Sequence, residues 1–489
     1  MDKPRLCVTV TASTTGELRA RRDAVRDADL VELRLDSVAD PDPVGALEGR
    51  RLPVIVTCRP RWEGGSFAGS EEERHRLLAG AIELGADYVD LEWRAGFDDL
   101  IRRRDGRGVV LSMHDFVPPR RDLADRVHAM WATGAETVKV AVSADRLADL
   151  VPLLAIAQGQ PPRRQGVYVA MGRAGLPTRV LAARFGSAWT YAGDLMCVGQ
   201  IGSARLLGDY RFRDVRAGTA VYGVVGRPVS HSLSPALHNA GFAAESLDAV
   251  YLPLEAADAG DFVTFAEAAG LAGASVTAPF KQHVLARLDE VDSMVRSIGA
   301  VNTIRMDGRR WIGRNTDVEG FLVPLRARLD PAGLRVAVLG AGGAARSVGY
   351  ALVTAGARVT IHARRQERAA LAATAIGAAS GGLPPPSGSW DILVNATPVG
   401  TAPEVDQRPI DGAPFDGTLV YDLVYNPRRT RLLAEAERAG LATIGGLPML
   451  VAQAELQFEW WTGRRPPDGL FGRVADARLR ERETQEGPR

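Results

Sequence analysis

The sequence predicts an α/β protein: an N-terminal (β/α)8 barrel of the TIM type, then an α/β substrate region and a Rossmann dinucleotide-binding region. Three observations lead there. Eight apolar strand-like runs alternate with helical spacers up to Tyr191. A Gly-rich turn stands between a strand and a helix within Leu334–Leu352. A polar stretch, Leu206–Thr219, separates the two patterns. A chain of 489 residues is too long for one core.

The eight runs are Leu6–Val10, Leu30–Leu35, Val54–Cys58, Tyr88–Trp93, Val109–Met113, Thr137–Val142, Val167–Met171 and Ala188–Ala192. Near-continuous apolar strands separated by helices pair in parallel. Eight such units in roughly 210 residues suit a compact barrel. Function in a barrel collects at the C-terminal strand ends. The polar residues at those ends are Glu32, Arg34, Arg59, Glu92, His114 and Lys139, with Met171 and Gln200 after strands seven and eight. The expected domains are 1–213, 219–328 and 329–445, then 446–477 as helices returning to the substrate domain. The charged, aperiodic tail 478–489 is expected to be disordered.

Composition excludes several classes. Hydrophobic content of 46% and charged content of 24% are those of globular protein. A formal net charge of +1 argues against a nucleic-acid partner. No apolar run spans a bilayer, and "MDKPRLCVTV" has no signal-peptide layout. Cys7, Cys58 and Cys197 are scattered, forming neither a disulfide framework nor a zinc site. These features predict a cytoplasmic protein with no structural metal.

Of the 60 basic residues only Lys3, Lys139 and Lys281 are lysines. Lys139 sits mid-strand in "AETVKVAV", where an unpaired charge is costly. An amine can shed its proton and a guanidinium cannot, so lysine at these positions points to chemistry. The bland alternative for Lys139 is a buried salt bridge with Glu32 or Glu92.

In the third region "GAGGAA" sets Gly340, Gly342 and Ala345 at dinucleotide-binding spacing after the strand Val336–Leu339. The following strand ends in His362, Ala363, Arg364 and Arg365, where an NAD enzyme carries an acid. Arginines there favour a 2′-phosphate and hence NADP. In the second region "VSHSLSPALH" puts Ser232 and Ser234 at a helix start, suiting a carboxylate or plain capping. "SVTAPFK" turns at Pro279 into a helix expected to carry Lys281, and "NTD" supplies Asp317. Such a pair can move a proton to an alcohol oxygen, or be only a salt bridge.

The segments "HSLSP", "SVTAPFK", "GAVNT", "NTD", "GAGGAAR", "NATPVG", "YDLVYNP" and "GLPMLVAQ" resemble shikimate dehydrogenases in order and spacing across about Val221–Trp461. The resemblance implies NADPH-dependent reduction of 3-dehydroshikimate to shikimate, with Lys281 and Asp317 as acid–base pair. It implies that Ser232, Ser234, Thr277, Asn302, Tyr425 and Gln453 bind substrate. Gly340, Ala341, Gly342, Gly343, Ala344 and Ala345 would hold the pyrophosphate and Arg364 and Arg368 the 2′-phosphate, Gly446 would approach the nicotinamide, and Arg365, Thr397 and Leu423 are also expected to contact the cofactor. Ser275, Thr401 and Arg431 depart from the family's usual Asn, Met and Pro.

The first half resembles type I 3-dehydroquinate dehydratases through "DLVELRLD", "VTCRPRWEGGSFAGSEEER", "DYVDLEW", "SMHDF", "TVKVAV" and "FGSAWTYA". The implied chemistry is an imine between Lys139 and a ring ketone, with His114 as general base and acid. Glu92 is expected to orient His114, and Arg34, Arg59 and Arg179 to lower the Lys139 pKa by their positive field. Glu32, Arg34, Arg59 and Met171 would contact the substrate, and Arg179 and Gln200 would hold its carboxylate. "EGGSFAGSEEER" reads as a mouth loop. Met196 stands where the family carries a serine, and Val169 where it commonly carries a methionine.

The two halves share an intermediate, 3-dehydroshikimate. The prediction is a bifunctional enzyme whose partners are the small molecules 3-dehydroquinate and 3-dehydroshikimate/shikimate, with NADP as cofactor and oligomeric state open. The alternatives are a non-catalytic sensor on the same domains, or an active dehydrogenase, shikimate- or quinate-using, behind a weak barrel.

Overall fold

The computed structural model describes residues 3–161, 164–194, 199–410 and 415–486. Met196 and Cys197 lie outside the described residues. Two compact units result: residues 1–220 with 248–270, and 221–247 with 271–489.

The first unit contains eight parallel strands: β1 (Arg5–Val10), β2 (Leu30–Arg34), β3 (Val54–Thr57), β4 (Tyr88–Glu92), β5 (Val109–Asp115), β6 (Thr137–Ser143), β7 (Gln165–Met171) and β8 (Trp189–Ala192). They run in the order β7-β6-β5-β4-β3-β2-β1-β8. The seam between β7 and β8 is drawn together by one bridge, Gly166 to Ser187, and by Tyr168 N donating to Ser187 Oγ at 2.9 Å. The sheet is thus a nearly closed barrel. Period-two alternation explains its filling. Cys7, Leu30, Ile55, Val110, Val167 and Trp189 form one apolar cluster. Two residues further along β1, β2, β3 and β5 stand the buried polar residues Thr9, Glu32, Thr57 and Ser112, whereas Val169 and Tyr191 on β7 and β8 still belong to the cluster. The strand carrying Lys139 therefore passes from an apolar layer into a polar one.

β10 (Ala249–Glu255) and the helix Ala259–Ala269 group with the barrel. Asp261 is the physical reason. Its buried carboxylate accepts Leu147 N at 3.2 Å and Ala148 N at 2.8 Å, and Arg146 pairs with Asp258 at 2.8 Å.

In the second unit, β9 (Ala220–Gly226), β11 (Leu271–Val276), β12 (Glu290–Val291), β13 (Thr303–Asp307) and β14 (Arg310–Arg314) form a mixed sheet in the order β9-β11-β13-β14-β12. A parallel six-stranded sheet follows: β15 (Arg335–Leu339), β16 (Arg358–His362), β17 (Ala379–Gly381), β18 (Ile392–Asn395), β19 (Leu419–Asp422) and β20 (Ala442–Ile444). Its order, β17-β16-β15-β18-β19-β20, puts β15 at the switch point of a Rossmann fold. Both faces of β15 are buried, which explains its unbroken apolar run. Val336 and Val338 pack with Val348 and Leu352, whereas Ala337 and Leu339 pack with Leu393, Val420 and Leu432.

Two expectations are corrected. Lys281 lies in a run of turns rather than a helix. The bond Phe280 N to Thr277 O is a three-residue closure, and the Lys281 carbonyl accepts Val301 N at 2.8 Å, leaving the helical ladder. Residues 478–486 are ordered as the end of the helix Leu470–Glu486. Leu479 is buried there, and Arg478 pairs with Glu481 one turn on at 2.8 Å.

Candidate active sites

The polar layer of the barrel is one connected network. Lys139 Nζ lies 3.1 Å from Glu32 Oε1 and 3.0 Å from Asp90 Oδ2, and 4.3 Å above the Tyr191 ring centre. Glu32 also accepts Thr9 Oγ1 at 3.0 Å and Thr57 Oγ1 at 3.2 Å, and Gln200 Nε2 donates to Thr9 Oγ1 at 3.2 Å. Arg59 reaches Asp90 at 2.9 Å, Glu92 at 2.6 Å and Ser112 Oγ at 2.7 Å. Register makes this possible: Ser112 lies beside both Glu92 and Lys139 on neighbouring strands.

The expected electrostatics of Lys139 are reversed. Burial disfavours its ammonium, but Asp90 and Glu32 outweigh burial and raise its pKa. Arg59, expected to lower that pKa, is occupied by Asp90 and Glu92. Burial pushes Glu32 up, yet Lys139, Arg34 and Arg59 hold it below its usual value. Asp90 is likewise lowered, Arg59 and Lys139 overcoming its burial.

Glu92 does not orient His114. Its carboxylate is taken by Arg59 and by the buried Arg74. Glu63 holds the imidazole instead: its Oε1 accepts His114 N at 2.8 Å and lies 3.0 Å from Nδ1. An oxygen that already accepts the backbone amide is an acceptor for the ring too. Nδ1 therefore carries the proton and Nε2 the lone pair. Burial, with the charges of Arg59 and Lys139, lowers the His114 pKa well below the usual imidazole value. Burial lifts the Glu63 pKa to about 7, with Glu92 adding to it against Arg59.

The remaining barrel residues are spread around this centre. Arg34 makes a two-point pair with Asp36, both contacts at 2.8 Å. Arg179 is buried, donates to Ala170 O at 2.6 Å, and is lowered by burial to about 10. Met171 is buried at the end of β7. Sequence reasoning missed Glu63, Asp90, Ser112 and Arg74. Two signals were available: Asp90 precedes Glu92 by one strand period, and Glu63 follows Arg59 by four residues.

In the second unit Lys281 Nζ pairs with Asp317 Oδ2. Asn302 Nδ2 donates to Asp317 Oδ1 at 2.7 Å, and Asn302 Oδ1 accepts Thr316 N at 2.7 Å, fixing the amide orientation. Ser232 Oγ accepts Ser234 N at 3.2 Å, while Leu233 is the cap residue and no side chain caps the helix Ser234–Ala244. Ser234 is thus the first residue of the helix rather than its cap, and its amide is met by Ser232. Thr277 packs so closely on Gly226 that a Cβ there would lie 2.3 Å from Thr277 Cγ2. Gly320 admits the helix Leu447–Thr462 similarly, bringing Gln453 against the helix that starts at Asp317. Tyr425 is raised by burial, opposed by Arg482 and by a bond with the Leu233 backbone.

At the glycine-rich turn Gly340 has φ +116°, and Gly342 precedes the helix Gly343–Thr354, which has no side-chain cap. Its first amides, including those of Ala344 and Ala345, suit an anion. A Cβ at Gly343 would lie 2.9 Å from Lys281 Cβ, so this turn abuts the Lys281 segment. Arg364, Arg365 and Arg368 follow β16 and are exposed, with no ion pair among the described residues. Thr397 donates to Asn395 Oδ1 at 2.7 Å. Gly446 presses on Leu423, whose carbonyl would sit 2.1 Å from any added Cβ.

Comparison with known proteins divides the chain in the same way. The family model for type I 3-dehydroquinase matches residues 6–215. Models for the shikimate dehydrogenase substrate binding domain and the shikimate 5′-dehydrogenase C-terminal domain match 224–304 and 446–470. The chloroplastic bifunctional 3-dehydroquinate dehydratase/shikimate dehydrogenase of Arabidopsis thaliana is 36% identical over 510 residues, covering 96% of this chain and 84% of that protein. Shikimate dehydrogenase (NADP(+)) of Moorella thermoacetica is 43% identical over 53% of this chain and 94% of its own length. A crystal structure of a shikimate dehydrogenase in complex with NADP+ matches with TM-score 0.51 and 34% identity, covering 54% of this chain and 97% of that one.

Proposed function

The chain belongs to the family of bifunctional 3-dehydroquinate dehydratase/shikimate dehydrogenases, and on that footing we propose how its own residues carry the two reactions. It is a lyase that converts 3-dehydroquinate to 3-dehydroshikimate and an NADP-dependent oxidoreductase that reduces 3-dehydroshikimate to shikimate.

In the barrel, Lys139 Nζ loses a proton and adds to the ring ketone, expelling water and leaving a protonated imine. The iminium withdraws electrons and acidifies the adjacent C–H. His114 Nε2 removes that proton, and Glu63 stabilises the resulting imidazolium. The imidazolium protonates the departing hydroxyl, which leaves as water. Hydrolysis of the imine releases product and restores Lys139. Glu32, Arg34 and Arg59 contact the substrate, Met171 walls it, and Arg179 with Gln200 holds its carboxylate. Glu92 serves through Arg59 and Arg74 rather than through His114.

In the dehydrogenase, Ser232 and Ser234 receive the carboxylate, and Thr277, Asn302, Tyr425 and Gln453 the rest of the ring. Lys281 delivers the proton to the carbonyl oxygen, and Asp317 and Asn302 hold the ammonium in place. The uncapped helix start at Gly342–Ala345 and the exposed Arg364, Arg365 and Arg368 fit NADP, whose nicotinamide supplies the hydride when bound. Gly446, Leu423 and Thr397 line the nicotinamide side.

Among the described residues no helix is long and apolar enough to cross a membrane. The buried free thiols Cys7 and Cys58 support a reducing compartment, the cytoplasm. The observation that carries the dehydratase reading is the buried lysine held between Glu32 and Asp90 beside a histidine of fixed tautomer. Borohydride reduction in the presence of 3-dehydroquinate, followed by peptide mapping, tests it. Label on Lys139 is expected; dehydration at full rate with Lys139 unlabelled overturns it.

A further inference from the structure

The C-terminal helix Leu470–Glu486 is tied to two loops of the second unit through two arginines. Arg482 Nη1 donates to the His231 carbonyl at 2.9 Å. Arg428 Nη1 lies 2.7 Å from Asp476 Oδ1, and its Nη2 donates to Asp476 O at 2.7 Å. Arg428 Nε also faces Glu483 at 3.9 Å. The two arginines run in opposite directions. Arg482 leaves the helix for a loop, and Arg428 leaves a loop for the helix.

Both loops carry proposed substrate residues. His231 immediately precedes Ser232, and Arg428 follows Tyr425 by three residues. Tyr425 in turn is bonded to the Leu233 backbone and feels the positive charge of Arg482. The turn 231–234 is therefore gripped from the helix at His231 and from the Tyr425 loop at Leu233. The helix is rooted apart from these contacts: Phe471, Ala475 and Leu479 are buried, and Gly241 admits Phe471 against the helix Ser234–Ala244. Its anchorage thus does not depend on either arginine.

We propose that Arg482 is a positioning residue of the dehydrogenase, holding the 231–234 turn so that Ser232 and Ser234 meet the substrate carboxylate, with Arg428 fixing the same helix to the Tyr425 loop. The proposal deepens the dehydrogenase reading and rests on its assignment of Ser232 and Ser234. A charged donor on a carbonyl at a half-exposed position is consistent with roughly a five- to tenfold effect on affinity.

The test uses the full-length protein and steady-state kinetics with shikimate and NADP+. Arg482→Ala is expected to raise KM for shikimate about five- to tenfold, with kcat and KM for NADP+ changing less than about twofold. Arg482→Lys, which keeps a charged donor, should recover most of the loss; Arg428→Ala should raise the same KM. An unchanged kcat and KM for NADP+ on the same chains report that the dehydrogenase unit is folded. Equal loss of kcat and of both KM values, or no rescue by Arg482→Lys, overturns the proposal in favour of a general structural role. Ser232→Ala with Ser234→Ala separates the two levels. If that double variant leaves KM for shikimate unchanged, the carboxylate assignment itself fails. If it raises KM while Arg482→Ala does not, only the Arg482 inference fails.

Discussion

Glu63→Gln isolates one charge in the dehydratase site. A glutamine oxygen at this position can still accept both His114 N and Nδ1–H, at the 2.8 and 3.0 Å separations of the carboxylate. The tautomer is kept, and only the negative charge facing the developing imidazolium is removed. A hydrogen bond to a charged partner contributes about 1.5–3 kcal/mol, so dehydratase kcat should fall by about 10- to 150-fold. The pH profile supplies an independent sign. Burial lifts Glu63 to about 7, so its carboxylate forms only as pH climbs through that value. Wild-type kcat should therefore rise through about pH 7, and the variant should lack that limb. Stopped or continuous absorbance at the product enone measures both, with circular dichroism and thermal unfolding of the variant as folding control. A loss below threefold, or an acid limb with unchanged midpoint in the variant, would refute the assignment of Glu63 as the partner of His114.

Three further outcomes follow from the same geometry. Lys281→Ala should lower dehydrogenase kcat far more than it alters NADPH binding, measured by fluorescence titration; matched losses would mark the Lys281–Asp317 pair as structural. Arg364→Ala should weaken NADPH but leave NADH nearly unchanged, because only the former carries a 2′-phosphate; equal weakening places the phosphate elsewhere. Asp422 is buried and accepts Thr430 Oγ1 at 2.6 Å, Asn395 Nδ2 at 2.9 Å and Val424 N at 3.0 Å. Burial nevertheless raises its pKa from 3.8 to about 6. A pKa raised on folding gives stability that is present below pH 3.8 and lost as pH climbs through 6, about 3 kcal/mol in all. Asp422→Asn should therefore be more stable than wild type at pH 8 and lose that advantage at pH 4 in denaturant titrations; a pH-independent difference would contradict this.

Much of the fold was legible because burial leaves a residue-by-residue trace. The barrel strands and β15 are covered on both faces, so each shows as an apolar run. Lys139 was legible for the complementary reason, since an ammonium in such a run is an exception. What was hidden depended on partners far apart in sequence. His114 and Glu63 are 51 residues apart, and the four-residue spacing of Glu63 from Arg59 is a local signal that does not point to His114. Asp90 and Glu92 occupy the same face of β4, and sequence reading chose the one nearer the strand end. The charge at Lys139 was inverted because Asp90 was overlooked. Only the end of the C-terminal helix, 478–486, was missed, because its composition is that of a solvated tail; Leu479 is its buried anchor in a charged stretch. Lys281 was assigned to a helix from the residues after Pro279, but its carbonyl bonds Val301, a tertiary choice no local propensity encodes.

The raised pKa of Lys139 looks at first like an obstacle to a nucleophile. Under the proposed mechanism the amine is needed once, for addition, whereas a positive nitrogen is needed for every later step. The iminium nitrogen has the same charge as the ammonium it replaces. Glu32 at 3.1 Å and Asp90 at 3.0 Å therefore stabilise the electron sink as well as the resting lysine. Arginine could supply the charge but not the bond, because its guanidinium neither loses its proton nor adds to a ketone. A neutral resting amine would need no carboxylates around it, and its imine would then form unprotonated and activate the neighbouring C–H far less. The carboxylates thus tilt the site toward the slow elimination at the expense of a faster first addition. Removing Asp90's charge should accordingly speed trapping of the first adduct relative to turnover, which places the function of this carboxylate after bond formation rather than before it.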